Sequence, residues 1–427
     1  MSGLPLLAQA GAAAPARVFE AGVDPRWWAL FFVTVLGACV GSFLNVVVYR
    51  VPEGMSVVSP PSRCPGCEQK LAWHDNVPVL GWLWLRGRCR ACGMRISVQY
   101  PLVEALCAVL FGVLCWAYLF TGLRPGFERL GIEGTWPVLA VHLVLVGGML
   151  AASLIDAKLY IIPLGITWVV ALSALFLPAS FALGLTAEPT LNPEGAFGSL
   201  VPSVGPTGLG VASGGIAGLG LSVLLLRAGV LPLSFAEEAG GAEDGAMPGE
   251  DPDAFLAHPH PRREVAKELL FLAGPALGAV LGGWVAGWLA GPGPGSLPAP
   301  GSLPAPGLPP AWASALGGVV LGYLAGGAVV WFVRILGTLM FGKEAMGLGD
   351  VHLMAAVGAV VGAADATLAF FVAPFLGLAV AFGAGGVSKV LTGQKRIIPY
   401  GPSLCVAVYA VMISRNVLFD FLVPAAG

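Results

Sequence analysis

The sequence predicts an all-α polytopic membrane protein with about ten transmembrane helices and a small polar segment near the N-terminus. Of its 427 residues 57% are hydrophobic and only 11% are charged, and the mean hydropathy is +0.83. Soluble domains are about a quarter charged. The formal net charge of -2 argues against a nucleic-acid partner, because duplex binding needs clustered Lys and Arg.

Apolar runs of about 20 residues, the length that crosses a bilayer, recur through the chain and define its elements. Each run is predicted to be a helix, the first being a transmembrane helix over 27–48. They lie at roughly 27–48, 101–120, 137–155, 163–184, 209–226, 269–290, 313–336, 351–364, 367–390 and 400–421.

The distribution of basic residues predicts the orientation. With the N-terminus outside, 17 of the 22 Lys and Arg residues fall on the cytoplasmic side, as the positive-inside rule requires. Residues 1–26 then form an exported tail, since their start lacks the basic region of a signal peptide. The same membrane topology places Asp156 and Asp350 at the cytoplasmic face.

The polar segment between the first two helices, residues 50–100, carries two CxxC pairs separated by 21 residues. This spacing is typical of a zinc ribbon, in which two tight turns present four thiolates to one ion. Two disulfides are the alternative, which a reducing cytoplasm disfavours. His74 is not needed as a ligand. The predicted structural Zn²⁺ ligands are Cys64, Cys67, Cys89 and Cys92.

The other cysteines and two long interruptions are predicted to have no chemical role. An acidic cytoplasmic loop at 227–268 contains His258 and His260, which could bind a metal but are more typical of a solvated loop. A Gly-Ser-Leu-Pro-Ala-Pro repeat within 291–311 indicates an exported semi-rigid spacer. The remaining cysteines lie in apolar helices and are expected to pack there: Cys39, Cys107, Cys115 and Cys405.

Two aspartates at the ends of apolar runs are the candidate catalytic residues. Asp350 begins a helix after Gly347 and Gly349, which remove side-chain bulk where another backbone could approach, and Asp156 ends an earlier run. Each also has a local interpretation. Asp156 could pair with Lys158, and Asp350 could cap its helix.

If both carboxyls reach one water molecule, they share a proton, since two adjacent carboxylates do not both ionise readily. The ionised member would deprotonate the water while the protonated member polarises a peptide carbonyl. Such a pair hydrolyses peptides without a covalent intermediate. No Ser-His-Asp or HExxH pattern competes with this hypothesis.

Eight short motifs follow one another along the chain, at 41–50, 62–67, 75–82, 86–93, 100–104, 156–163, 347–351 and 398–402. Together they resemble the type IV prepilin peptidase and N-methyltransferase family, whose members are intramembrane aspartyl proteases of the GxGD kind. The resemblance implies that Asp156 and Asp350 are catalytic. It implies supporting roles for Gly347, Gly349, Pro399, Gly401 and Pro402, whereas the cofactor-binding residues are unknown.

The resemblance also implies the substrates and the location. These are prepilins or pseudopilins, cut on the cytoplasmic side of the bacterial inner membrane, with S-adenosylmethionine as methyl donor through the four-cysteine segment and Glu104. The peptidase domain would occupy 101–427, with an insertion at about 180–340. Leu164 stands where the family often has a second aspartate. The oligomeric state is not predicted.

Two other function classes remain open at this point. A transporter with a cytoplasmic zinc ribbon would also have about ten helices and buried acids, but it predicts repeat symmetry between the halves, which the sequence does not show. A methyltransferase or assembly scaffold without proteolysis would be favoured only if the two aspartates do not come together.

Overall fold

The computed structural model describes residues 24–187, 200–234, 261–290, 309–342, 344–383 and 400–422. Within these ranges the regular structure is helical, apart from two isolated antiparallel bridges. The helices are α1 (Pro25–Arg50), α2 (Leu80–Trp84), α3 (Gln99–Phe120), α4 (Pro125–Leu159), α5 (Leu164–Ser173), α6 (Phe176–Ala182), α7 (Pro206–Arg227), α8 (Pro261–Ala290), α9 (Ala311–Phe341), α10 (Leu348–Val361), α11 (Ala363–Gly383) and α12 (Tyr400–Leu422).

The predicted all-helical membrane fold is confirmed, since each of the apolar runs coincides with helix in the described ranges. Among the residues that the structure describes, seven helical segments are long and apolar enough to cross a membrane, and α10 and part of α11 are shorter apolar helices. The run at 163–184 is divided into α5 and α6, which together are long enough for one crossing. The chain is therefore a multi-pass membrane protein.

Helix α10 forms the centre of the bundle. Its residues from Leu353 to Val360 are all buried, so the helix is apolar on every side, as expected of an element enclosed by others. It packs against α5, α9 and α11. The α9 backbone approaches it closely, because Gly326 faces the Met354 carbonyl without an intervening side chain.

Helices α7 and α8 form a tightly packed pair within the predicted insertion. Glycines on both helices allow the backbones to touch, as Gly214 of α7 faces Gly278 of α8. The acidic loop is shorter than predicted, because residues 261–268 form the start of α8 and Glu268 is 2% exposed there. The rest of that loop from residue 235, with His258 and His260, and most of the spacer, 291–308, lie outside the described residues.

A buried charge cluster lies at the end of the bundle opposite Asp156. Asp365, in the first turn of α11, accepts from Arg415 of α12 (Nε–Oδ1 2.9 Å) and lies 3.5 Å from Nη2 of Arg124. Arg124, just before α4, also donates to the Met412 carbonyl (2.9 Å). These three charged residues, called the Asp365 cluster below, join α4, α11 and α12.

Candidate active site

Asp156 lies one turn before the end of α4. The helix ends because Tyr160 adopts a left-handed conformation (φ 55°) and its N–H closes the last turn on the Asp156 carbonyl (3.0 Å). Pro163 then redirects the chain into α5. The Asp156 residue is only 8% exposed, so the end of α4 presents a largely buried carboxyl group.

Asp350 lies in the first turn of α10. Gly347 precedes the helix in an extended conformation, and the Asp350 N–H donates to its carbonyl (3.2 Å). A Cβ on Gly349 would lie 3.0 Å from the Cβ of Ile162, so this glycine lets the loop after α4 pack directly on the start of α10. A Cβ on Gly347 would meet nothing closer than the Asp350 carboxylate, at 3.6 Å.

This packing brings together two carboxyl groups that are 194 positions apart in the sequence. Asp156 and Asp350, called the carboxylate pair below, are close enough to interact electrostatically. The start of α12 completes the site, because the Gly401 N–H donates to Oδ2 of Asp156 (3.0 Å). A Cβ at Gly401 would lie 2.6 Å from that oxygen, so any larger residue would displace the carboxyl group.

The local interpretations of the two aspartates do not describe what the structure contains. Lys158 is exposed and donates to Oε1 of Gln99 (3.2 Å). The N-cap position of α10 is Gly347 and not Asp350. In the described part of the chain, neither member of the carboxylate pair forms an ion pair.

Two prolines were predicted to support the site. Pro402 is half-buried in the first turn of α12, next to Gly401. Pro399 lies outside the described residues. The start of α12 is also held by the Tyr400 hydroxyl, which donates to the Phe370 carbonyl (3.1 Å). This contact fixes the helix end that faces Asp156.

The four-cysteine segment is built from two equivalent turns, 25 positions apart. In the first, an antiparallel bridge joins Arg63 to Lys70, and Glu68 adopts a positive φ of 54°. In the second, the bridge joins Arg88 to Arg95, and Gly93 has a φ of 70°. Each turn therefore presents its two cysteines on one side.

The four sulfurs converge as the spacing predicted and could hold a metal ion, all within 4.8 Å of one another. The Sγ atoms of Cys64 and Cys92 are 3.7 Å apart, and those of Cys67 and Cys89 are 3.9 Å apart. Zn–S bonds of about 2.3 Å in a tetrahedron place sulfurs roughly 3.8 Å apart. The group thus fits a tetrahedral ion, and His74 is not part of it.

Thiols of the segment differ in how readily they lose a proton. All eight cysteines are free thiols, so neither of the alternative disulfides is formed. Hydrogen bonds from the backbone N–H groups of Cys92 and Ala91 lower the pKa of the Cys89 thiol to about 6, which favours the thiolate that metals bind. At Cys67 the backbone hydrogen bond of Gln69 lowers the pKa, but desolvation and the neighbouring sulfurs outweigh it and raise the pKa to about 11. Outside this segment, Cys107 and Cys115 pack in the core as predicted, whereas Cys39 is exposed on α1.

The four-cysteine segment is anchored to the membrane helices through Glu104. This residue of α3 is 8% exposed, and its Oε2 accepts from the Val79 N–H at the start of α2 (2.6 Å). Val79 has a φ of 61°, a rare conformation for a β-branched residue. Glu104 therefore holds a turn of the segment against the bundle.

Sequence reasoning did not identify a second buried ionic group near the site. Arg334 of α9 is 1% exposed and pairs with Glu268 of α8 (2.9 Å) and with Glu344. It also donates to the carbonyl of Met346, the residue before Gly347. Two glutamates one turn apart at the head of an apolar helix, Glu264 and Glu268, were the available signal.

Two family models match this chain. Residues 35–118 match the bacterial peptidase A24 N-terminal domain, and residues 302–382 match the type IV leader peptidase family. The first range covers most of α1, the four-cysteine segment and most of α3. Asp350 lies in the second range, and Asp156 lies between the two.

Several curated proteins that share the name prepilin leader peptidase/N-methyltransferase are similar to parts of the chain. The one from Myxococcus xanthus (strain DK1622) is 46% identical over 157 residues, covering 36% of this chain and 42% of the relative. The one from Klebsiella pneumoniae is 38% identical over 155 residues, covering 35% of this chain and 60% of the relative.

The chain thus spans between 42% and 60% of the length of these relatives. No solved structure matches it. The matched ranges include the CxxC turns and the GxGD motif, which are residues on which the resemblance was based. The resemblance is therefore confirmed over these ranges, which match the bacterial peptidase A24 N-terminal domain and the type IV leader peptidase family.

Proposed function

We propose that the protein is an intramembrane aspartyl endopeptidase that removes the leader peptide of type IV prepilins or pseudopilins. The carboxylate pair supports this proposal most directly, because residues 194 positions apart come together at one end of the bundle and neither forms an ion pair with another described residue. An acidic side chain without a neutralising partner costs free energy near hydrocarbon, so such a residue usually has a catalytic or binding role. The relatives' shared name supplies the substrate class.

The geometry supports separate roles for the two carboxyls. The Gly401 N–H stabilises negative charge on Asp156, since a hydrogen bond to a carboxylate favours its ionised form. We assign Asp156 as the base that takes a proton from the attacking water. Asp350 then holds the shared proton and donates it to the carbonyl oxygen of the scissile peptide.

The surrounding residues would shape access to this pair. Gly349 and Gly401 let neighbouring backbones approach the carboxyls, and Pro402 with Pro399 would shape the turn that begins α12. Gly347 is exposed beside Asp350, which leaves room for an extended peptide. The exposed position fits a substrate that enters from the water-facing end of the bundle.

The remaining parts of the proposal concern location, metal and methyl transfer. The basic-residue distribution supports a cytoplasmic site in the bacterial inner membrane. Cys64, Cys67, Cys89 and Cys92 would hold a structural Zn²⁺, which when bound would fix the fold of the segment. N-methylation of the new N-terminus with S-adenosylmethionine as methyl-donating substrate rests on the relatives' names and not on a recognised binding site.

The test is incubation of the purified full chain with a candidate prepilin and S-adenosylmethionine, followed by mass analysis of the product. The expected result is a pilin shortened by its leader and heavier by one methyl group. If the protein cuts neither this prepilin nor a prepilin of a second type, the peptidase proposal is contradicted. A cut but unmethylated product would contradict only the methyl-transfer part.

A further inference from the structure

The buried Arg334 connects helix α8 to the segment that begins the GxGD motif. Its side chain is 1% exposed, and a guanidinium so enclosed requires acceptors for its N–H groups. Its Nε donates to Oε1 of Glu268 (2.9 Å). Its Nη1 donates to the Glu344 carboxylate and to the Met346 carbonyl. One side chain thus bridges α8 and the chain immediately before Gly347.

Glu268 is itself held in place from a second direction. Its Oε2 accepts from Nε1 of Trp331 (3.1 Å), and the Trp331 ring stacks on Phe271, one turn further along α8, with centroids 5.4 Å apart. The carboxylate is 2% exposed. Its two oxygens therefore engage two donors of α9 in a fixed arrangement, and this arrangement determines where the Arg334 guanidinium points.

The Met346 carbonyl matters because it lies directly before the GxGD motif and the start of α10. The Gly347 carbonyl accepts from the Asp350 N–H (3.2 Å), so a change in the backbone at Met346 is passed to the first turn of α10 and to the carboxyl it carries. Glu344, the other acceptor in this segment, is partly exposed at 27% and less restrained. Without Glu268, the Arg334 side chain would turn toward Glu344.

We infer that α8 is a positioning element for the carboxylate pair. Glu268 orients Arg334, and Arg334 holds the Met346 carbonyl and thereby the start of α10. Helix α8 lies between the two ranges that match the family models, so this contact is supplied by a part of the chain outside the matched domains. The inference rests on the proposed peptidase function for its catalytic consequence, but the structural link can be measured without activity.

The first measurement is hydrogen exchange of backbone amides in the full-length protein in nanodiscs. Glu268→Gln keeps the shape and an acceptor for Trp331 but removes the charge. We expect exchange of the amides from Glu344 to Val351 to rise several-fold, with α1 and α3 unchanged. Glu264→Gln is the matched control, since Glu264 lies one turn earlier and pairs with Lys267 (2.8 Å), and its exchange pattern should equal the wild type.

The second measurement is the kinetics of prepilin cleavage by the same variants. Glu268→Gln should lower kcat on the order of tenfold to a hundredfold, because small displacements of a catalytic group cost this much, and it should leave KM within about twofold. Trp331→Phe, which keeps the ion pair, should lower kcat less. An inactive wild type would refute the proposed function, while the exchange result would still decide the structural link.

A charge exchange separates positioning from simple stabilisation. Glu268→Arg combined with Arg334→Glu restores an ion pair between α8 and α9 but cannot donate to the Met346 carbonyl. We expect it to keep the fast exchange at Glu344 to Val351 and the low kcat. Recovery of wild-type exchange at Glu344 to Val351 together with wild-type kcat would overturn the inference. Unchanged exchange in Glu268→Gln, or exchange that rises along all of α8 and α9 instead of at the motif, would also overturn it.

Discussion

Two acidic sites at opposite ends of the same helices differ in how their charge is compensated. In the Asp365 cluster, one carboxylate faces two guanidiniums. In the carboxylate pair, two carboxyls interact electrostatically, and an oxygen of Asp156 accepts from the Gly401 N–H. Asp365 and Asp156 are both buried and Asp350 is half-buried, so burial alone does not distinguish the two sites.

The difference indicates which site is structural and which is chemical. A buried acid neutralised by arginines stabilises the arrangement of its helices, and losing one partner leaves an uncompensated charge. Two acids without a cation gain nothing from proximity unless they share a proton. Asp365 therefore belongs to the helical framework of the bundle, whereas under the proposed function Asp156 and Asp350 would share a proton that can move.

The largest expected effect is loss of cleavage when either member of the carboxylate pair is neutralised. Asp156→Asn or Asp350→Asn should each lower kcat by about a thousandfold or more, and the double variant should be scarcely worse, because the two act as a unit. An amide neither takes a proton from water nor supplies the shared one. The measurement is the mass of the prepilin product, and full proteolysis by either variant would contradict the assignment.

Neutralising the acid at the other end should affect stability instead. Asp365→Asn leaves Arg124 and Arg415 without their carboxylate, and breaking a buried pair costs about 3 to 5 kcal/mol. Thermal unfolding in detergent should show a clearly lowered Tm, while the fraction that remains folded cuts prepilin with wild-type kcat. A folded, stable but inactive Asp365→Asn protein would remove the distinction between the two sites.

The zinc prediction concerns a site outside the bundle. Metal analysis should find about one zinc per chain, and Cys64→Ser combined with Cys67→Ser should remove it together with the order of the four-cysteine segment. Hydrogen exchange of residues 62–95 would report the loss of order. Cys39→Ser, on the exposed face of α1, is the matched control. A metal-free segment that keeps its protection would refute the prediction.

The smallest effect involves an acid that is paired but lies near the surface. The side-chain hydrogen bonds from Arg90 lower the pKa of Asp75, with Nη2–Oδ1 at 2.5 Å. This pair therefore stabilises the segment above the ordinary aspartate pKa of about 4, and the contribution is lost as pH falls through the lower, folded-state value. Carbon NMR of labelled aspartates should show the low pKa, and Arg90→Gln should return it to about 4.

Much of the helical architecture could be predicted because each membrane helix depends on consecutive residues. Hydropathy over about 20 positions decides whether a helix crosses a bilayer, so the apolar runs and the observed helices coincide. The CxxC turns could be predicted for the same reason, because each turn is formed by eight consecutive residues, from Arg63 to Lys70 and from Arg88 to Arg95. Residues 261–268 were wrongly predicted to belong to the acidic loop because they are rich in charge, whereas Glu264 and Glu268 are buried within α8.

The amino-acid sequence determined the membrane class, the cysteine turns and the two aspartates as candidates, since composition, spacing and motif are properties of neighbouring residues. Tertiary structure alone decided that Asp156 lies near enough to Asp350 to interact with it electrostatically, that Asp156 accepts from the Gly401 N–H, and that Glu268 reaches Arg334. These contacts join residues from 66 to 245 positions apart. They depend on how whole helices pack, which glycines such as Gly349 and Gly401 permit but do not specify.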